Sequence, residues 1–256
     1  MERMNGMNNE KISILGIPFN NLTRVEFLTQ LLMRMENQQK TFLVTANPEI
    51  VMYAKEDDRY FDLLLKADYI APDGIGIVRA AKTLKTPIKE RVPGFELMLG
   101  LLELSSKYKK RVYFIGAQEE VIAKAVENAE KLWPGLEIVG YHHGYFDHSD
   151  PKMIEQVAAL KPDLILVAFG FPRQEHWIHQ YLQVADRGIA IGVGGSFDVL
   201  SGKSKRAPKI VQKLHIEWLY RLLKQPSRYK RMLALPVFMG EIRKQRQLKR
   251  VTKNGK

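Results

Sequence analysis

With 256 residues, 45% of them hydrophobic and 27% charged, the chain has the composition of a folded protein with one substantial core. The absence of cysteine excludes disulfides, thiolate metal sites and a cysteine nucleophile together, and fits a reducing cytoplasm. The net charge of +12 is unevenly spread: residues 203–256 hold 17 Lys and Arg against Glu217 and Glu241, a local excess of +15, which leaves residues 1–202 at −3.

Residues 1–11 are polar, with Glu2, Asn5, Asn8, Asn9 and Glu10, and lack the apolar core of roughly 7–15 residues that a secretory signal needs, so the protein is expected to stay inside the cell. The longest apolar runs, 164–172 and 232–240, reach about half of the roughly 20 residues that span a bilayer. Any membrane contact is therefore expected to be peripheral, on the cytoplasmic face.

From residue 11 onward, short β-branched runs alternate with helix-length amphipathic stretches. Strands are predicted over 12–17, 41–45, 69–71, 111–116, 136–141, 164–169 and 189–193. Thr23-Arg-Val-Glu26 is a capping box, and Asn47-Pro48 sets a cap residue before a proline suited to a first helical turn. Such alternation predicts an α/β fold, a Rossmann-like, mostly parallel sheet with helices on both faces. The composition shift near Ser201-Gly202 is the candidate boundary between an α/β domain (1–202), expected to be the catalytic part, and a basic, helical appendage (203–256), expected to target a membrane and to contribute to the active site.

Ligands of such sheets bind beyond the carboxyl ends of the strands. The residues there are polar and glycine-rich: Thr45-Ala-Asn47, Pro72-Asp-Gly74, Gly116-Ala-Gln118, Gly170-Phe-Pro-Arg-Gln174 and Gly192-Val-Gly-Gly-Ser196. Asp73 is the candidate general base, since a turn at a strand end would hold its carboxylate over the cleft in a partly apolar setting that raises its pKa. Pro-Asp-Gly is also a good turn sequence with no further role. Gly194, Gly195 and Asp198 suit close approach to a phosphate or ribose, a tight strand-to-helix turn being the alternative. Arg173 and Gln174 open a helix whose first amides would face an anion, the alternative being a solvated first turn. Gly74-Ile-Gly76 is an incomplete dinucleotide fingerprint, with Arg79 where a third small residue belongs. His176 and His179 are spaced for a shared metal but have no third ligand, and Walker A, HExxH and Asp-x-Asp motifs are absent. No metal and no cofactor are expected.

Past residue 202, Pro208 opens a stretch with Lys209, Lys213, Glu217, Arg221 and Lys224 on one side and Val211, Leu214, Trp218 and Leu222 on another; Pro226 and Pro236 are expected to divide the rest of the appendage into short helices. The mixture of cations with Trp218, Tyr220, Tyr229 and Phe238 suits a partner both anionic and apolar, a phospholipid surface. Arg221, Arg228 and Arg231 could grip a diphosphate bidentately, or merely form a solvated basic face.

Taken together, Thr45-Ala-Asn-Pro-Glu49, Pro72-Asp-Gly-Ile-Gly76, Gly170-Phe-Pro-Arg-Gln-Glu175, Gly194-Gly-Ser-Phe-Asp198 and the run from Lys205-Arg-Ala-Pro208 to Ile216-Glu-Trp-Leu-Tyr-Arg221 resemble the TagA/TarA branch of the WecG/TagA/CpsF glycosyltransferase family over about residues 11–245. The resemblance implies inverting transfer of N-acetylmannosamine from its UDP derivative to the 4-hydroxyl of undecaprenyl-diphosphate-linked N-acetylglucosamine, in the linkage unit of wall teichoic acid. It implies Asp73 as base, Thr45, Asn47 and Gln174 around the sugar and acceptor, Gly116, Arg173, Gly194, Gly195 and Asp198 around the nucleotide sugar, and Arg221, Arg228 and Arg231 on the lipid diphosphate. Relatives using N-acetylmannosaminuronic acid or glucose are the nearer alternative. A nucleic-acid-binding protein with a basic tail is a rival that leaves the polar strand-end cleft unexplained, and a nicotinamide-dependent oxidoreductase is disfavoured by the incomplete glycine fingerprint. No nucleic-acid partner is expected, and a homo-oligomer is compatible with the sequence.

Overall fold

The computed structural model of the chain describes residues 10–204 and 229–254. The first element is an antiparallel hairpin, β1 (Lys11–Ile14) and β2 (Ile17–Asn20), reversed at Leu15 and Gly16, whose φ angles are 49° and 89°. The single strand expected over 12–17 is therefore two, and both stand outside the main sheet. Glycine accepts the left-handed backbone of the reversal without steric cost, which is what breaks the run. The hairpin covers a sheet edge: the buried Asn20 accepts, through Oδ1, the Ile70 backbone N–H at 2.7 Å.

Next in the chain come α1 (Arg24–Glu36), β3 (Thr41–Ala46), α2 (Pro48–Glu56), α3 (Asp58–Leu65), β4 (Tyr69–Pro72), α4 (Ile75–Thr83), α5 (Gly94–Lys107), β5 (Arg111–Gly116), α6 (Glu119–Leu132), β6 (Glu137–His142), α7 (Pro151–Ala159), β7 (Leu164–Ala168), α8 (Arg173–Val184), β8 (Ile189–Gly192), α9 (Ser196–Leu200) and α10 (Tyr229–Asn254). Six strands pair in parallel in the order β4-β3-β8-β7-β5-β6. The expected caps are in place: Thr23 Oγ1 accepts the Glu26 N–H while Glu26 accepts the Thr23 N–H, and Asn47 Oδ1 accepts the Ile50 N–H at 3.0 Å.

The strand side chains alternate between two cores, as a sheet covered on both faces requires. Phe42, Val44, Tyr113, Ile115, Ile165 and Val167 face a core shared with α2, α3, α4, α7, α8 and the hairpin. Leu43, Val112, Phe114, Leu164 and Leu166 face one shared with α1, α5, α6 and α9. The Rossmann-like architecture expected from the strand-helix alternation is thus the architecture of the chain.

Two expectations for the C-terminal segment change. Helix α10 runs through Pro236 without a break. It is held by packing that outweighs the lost backbone hydrogen bond: Phe238 and Ile242 are fully buried, and Leu235 packs on the same core. Phe238 is therefore taken up by the protein's own interior and is not available to lipid. The helix lies against α2 and α4. Gly76 is what lets it approach, since a Cβ there would stand 2.8 Å from Leu235 Cδ1 and 2.5 Å from Pro48 Cγ. Lys55 pairs with Glu241, and Gln245 Oε1 accepts the Leu15 N–H at 3.2 Å. Truncating a fully buried phenylalanine costs about 3–5 kcal/mol. Phe238→Ala is accordingly expected to loosen α10, read as faster amide exchange across 229–254 while the sheet amides stay protected.

Candidate active site

The chain leaves β5 toward one edge of the sheet, to β6, and leaves β7 toward the other, to β8. Loops diverging from neighbouring parallel strands open a crevice at their carboxyl ends. Gly116 ends β5 with φ 124°, and a Cβ on it would lie 2.5 Å from the Ala168 carbonyl oxygen. Only glycine permits that approach. The Ala117 N–H then donates to Ala168 O at 3.0 Å, and the Gly144 N–H to Ala117 O at 2.8 Å.

Over this point lies a cavity of about 310 Å³ walled by Ala117, Gln118, Phe169, Gly170, Gly194, Gly195 and the half-buried Asp198, with Lys203 at the rim bonded to Gln118. Through Tyr145 it adjoins a second cavity of about 540 Å³ between the 144–149 loop and the start of α8. Arg173 lines the second cavity and donates from Nη2 to Phe169 O at 2.9 Å. His148 stacks on Phe169 with ring centroids 4.1 Å apart. Sequence reasoning missed Lys203, Tyr145 and His148: Lys203 lies beyond α9, and Tyr145 and His148 lie in the loop after β6, the one strand end of the sheet's carboxyl side that was not singled out.

Thr45, Asn47 and Asp73 come together elsewhere on the same edge. β3 and β4 pair Thr45 with Ala71 and Ala46 with Pro72. The Asp73 N–H donates to Ala46 O at 2.9 Å, and Gly74 turns at φ 95°, close to Asn47. The start of α5 closes over Thr45, where a Cβ on Gly94 would stand 2.7 Å from Thr45 Oγ1. The Val92 N–H donates to Pro72 O at 3.0 Å, which brings Arg91 beside the Asp73 turn. Asn47 Oδ1 is committed to capping α2. From β4 to β7 is three strand spacings, about 14 Å.

Gln174 is placed differently from the other three. It is buried; its Oε1 accepts the Gly194 N–H at 3.2 Å and its Nε2 donates to Glu175 Oε1 at 2.7 Å. Its own backbone N–H donates to Gly170 O at 3.0 Å. The Gly194 amide therefore points inward, and what that glycine gives the cavity is the shape of its turn, at φ 50°. Arg221 and Arg228 lie outside the described residues, and Arg231 falls in the first turn of α10 with its side chain likewise outside them. Among the described residues, no three His, Asp or Glu side chains are grouped to hold a metal ion, and no helix is long and apolar enough to cross a membrane.

A sequence profile of the Glycosyl transferase WecG/TagA/CpsF family matches residues 12–252. The chain belongs to that family. It is 42% identical over 210 residues to an N-acetylglucosaminyldiphosphoundecaprenol N-acetyl-beta-D-mannosaminyltransferase of Bacillus spizizenii, covering 82% of this chain and 81% of the relative. It is 39% identical over 239 residues to the protein of the same name from Staphylococcus aureus (strain MW2), covering 93% and 94%. The matched span takes in every strand of the glycosyltransferase sheet and nearly all of α10.

Glu175, in the first turn of α8, is a carboxyl whose pKa burial raises from 4.5 to about 7. A carboxyl that holds its proton more tightly folded than unfolded stabilises the fold below pH about 4.5, and that contribution is lost as pH rises toward 7. Glu175→Gln is expected to remove this slope and to leave the variant more stable than the parent at pH 8, read from thermal melts between pH 5 and 8.

Proposed function

We propose that this glycosyltransferase moves N-acetylmannosamine from UDP-N-acetylmannosamine to the 4-hydroxyl of the N-acetylglucosamine in GlcNAc-diphospho-undecaprenol, with inversion, in the linkage-unit step of wall teichoic acid synthesis. The observation that carries the reading is a carboxylate at the β4 end of the sheet and a glycine-walled cavity at the β5–β7 divergence, on one edge and about 14 Å apart. That span suits a nucleoside diphosphate sugar lying across the strand ends. The names of relatives matched over 81% and 94% of their length support the transferred sugar and the acceptor, and nothing favours N-acetylmannosaminuronic acid or glucose.

In this reading Asp73 takes the proton of the acceptor hydroxyl as its oxygen attacks the anomeric carbon. The bond from that carbon to the UDP oxygen breaks on the opposite face, and UDP leaves with the electron pair. Thr45 and the Asn47 amide orient the sugars. Lys203 and Arg173 supply positive charge near the departing diphosphate, and Arg221, Arg228 and Arg231 would complete it from residues 203–256. The contact of α10 with α2 and α4, the helices that follow Asn47 and Asp73, supports a catalytic part for that segment. Its excess of +15 supports peripheral attachment to anionic lipid on the cytoplasmic face, worth about 1 kcal/mol for each cation near the surface.

The test is turnover with UDP-N-acetylmannosamine and a lipid-diphosphate N-acetylglucosamine. Loss of a positioned general base costs about 10²–10⁴-fold in rate. Asp73→Asn should fall by that factor with UDP affinity unchanged, and near-normal turnover would remove Asp73 from the role. Sedimentation with anionic vesicles is expected to be lost in high salt, since the attraction is electrostatic.

A further inference from the structure

Glu175 has no part in the catalytic scheme, yet its placement is unusual. A carboxyl in the first turn of a helix ordinarily sits in water and interacts with the helix dipole; this one is 1% exposed. An apolar residue of similar volume is often as stabilising as a buried charged group, or more so. The carboxyl therefore calls for a task.

Its contacts indicate one. Glu175 Oε1 accepts from Gln174 Nε2, and Gln174 Oε1 accepts from the Gly194 N–H. A primary amide is an acceptor at one end and a donor at the other, and only its oxygen suits an N–H. Oε1 accepts whether Glu175 is ionised or carries a proton on Oε2, so in both states the carboxyl fixes which end of Gln174 faces the loop. The amide is also confined, for a Cβ on Gly192 would stand 2.4 Å from Nε2. Behind the carboxyl lies Tyr60 of α3, packed edge-on against Tyr53 at 5.1 Å and beside Phe171. Burial, and then the nearby Glu175 carboxyl, raise the Tyr60 pKa, although neither its hydroxyl nor Glu175 Oε2 is in a well-formed hydrogen bond. This aromatic wall excludes water, which strengthens the remaining polar contacts.

We propose that Glu175 is a positioning residue for the sugar nucleotide: through Gln174 it holds the Gly194 turn, and so the wall formed by Gly194, Gly195 and Asp198, in the shape that receives a nucleoside diphosphate. The proposal rests on reading the smaller cavity as the donor site. Glu175 itself touches no substrate.

The test uses the full chain, with UDP titrated calorimetrically and KM for donor and acceptor measured separately. Glu175→Gln keeps an oxygen for Gln174, and its UDP Kd and donor KM should stay within about threefold of the parent. Glu175→Met keeps the bulk and no such acceptor; both values should rise by about tenfold, equivalent to about 1.4 kcal/mol, with the acceptor KM unchanged. A purely structural role would lower the melting temperature without that donor-specific split or the rescue by glutamine. If Glu175→Met fails to fold, Glu175→Asp, whose carboxyl is one methylene short of the amide, should show the same donor-specific loss. Unchanged UDP affinity in the folded variant, or equal losses in Glu175→Gln and Glu175→Met, would overturn the role of Glu175. A parent protein that does not bind UDP would instead overturn the donor-site reading.

Discussion

Gly116 brings β5 against the carbonyl of Ala168 more closely than any side chain allows, and the walls of both cavities hang from that contact. It lets the Ala117 N–H reach across to β7, and Ala117 in turn fixes Gly144 at the head of the 144–149 loop. From the other side, Arg173 reaches back to Phe169 O, and Phe169 carries His148 on its face. One loop is held at its root by a backbone bond and the other by the Arg173 guanidinium on a backbone carbonyl, so the open volume between them is set close to the strand ends. Such preorganisation matters where charge is to develop on a departing group, because dipoles already in place need not reorganise during the reaction.

The parts of the site that were legible in the sequence are those governed by a positional rule. In a parallel sheet, ligands bind where strands end, so the placement of Thr45, Asn47, Asp73, Gly116 and the glycines after β8 along that candidate region follows from strand prediction alone. Capping is equally local, and Thr23 and Asn47 do what their neighbours imply. Other features depend on long-range packing and carry no local mark. Glu175 reads as an ordinary acidic residue of a first helical turn until α3 is seen to cover it. Pro236 reads as a helix breaker until Phe238 and Ile242 are seen to anchor the turns beyond it. The Leu15-Gly16 reversal was visible as a glycine, but the β-branched run on either side hid it.

Glu175 and Asp73 illustrate how one edge of a sheet holds carboxyls in different settings. Asp73 is half-buried on a turn that the strand pairing defines, where on the proposed reading a substrate hydroxyl meets it. Glu175 is shut behind Gln174 and an aromatic wall, with its pKa raised by desolvation. A group so enclosed is poorly suited to exchange protons with a substrate, whatever its pKa, since geometry precedes acidity in general-base catalysis. Perturbed titration marks functional neighbourhoods, but here it marks the support beneath the site.

The basic segment has to be weighed in the same way. The apolar stripe of α10 is used against α2 and α4, and its outward side carries Arg243, Lys244 and Gln247 with Val237 and Leu248 exposed by 55% and 69%. Among the described side chains of α10 these two exposed aliphatics are separated and would bury little area in a bilayer, so on the proposed reading the attraction of this helix to a membrane is chiefly electrostatic, acting within a Debye length of about 8–10 Å. Attraction of that range orients a body without embedding it. Because α10 is fastened to the helices that carry Asn47 and Asp73 at their starts, a surface that draws α10 also draws that side of the sheet edge. On the proposed reading, a lipid-borne acceptor then meets the base from the membrane side while the soluble nucleotide sugar enters over β5 and β7. The two substrates approach from different directions and need not displace one another.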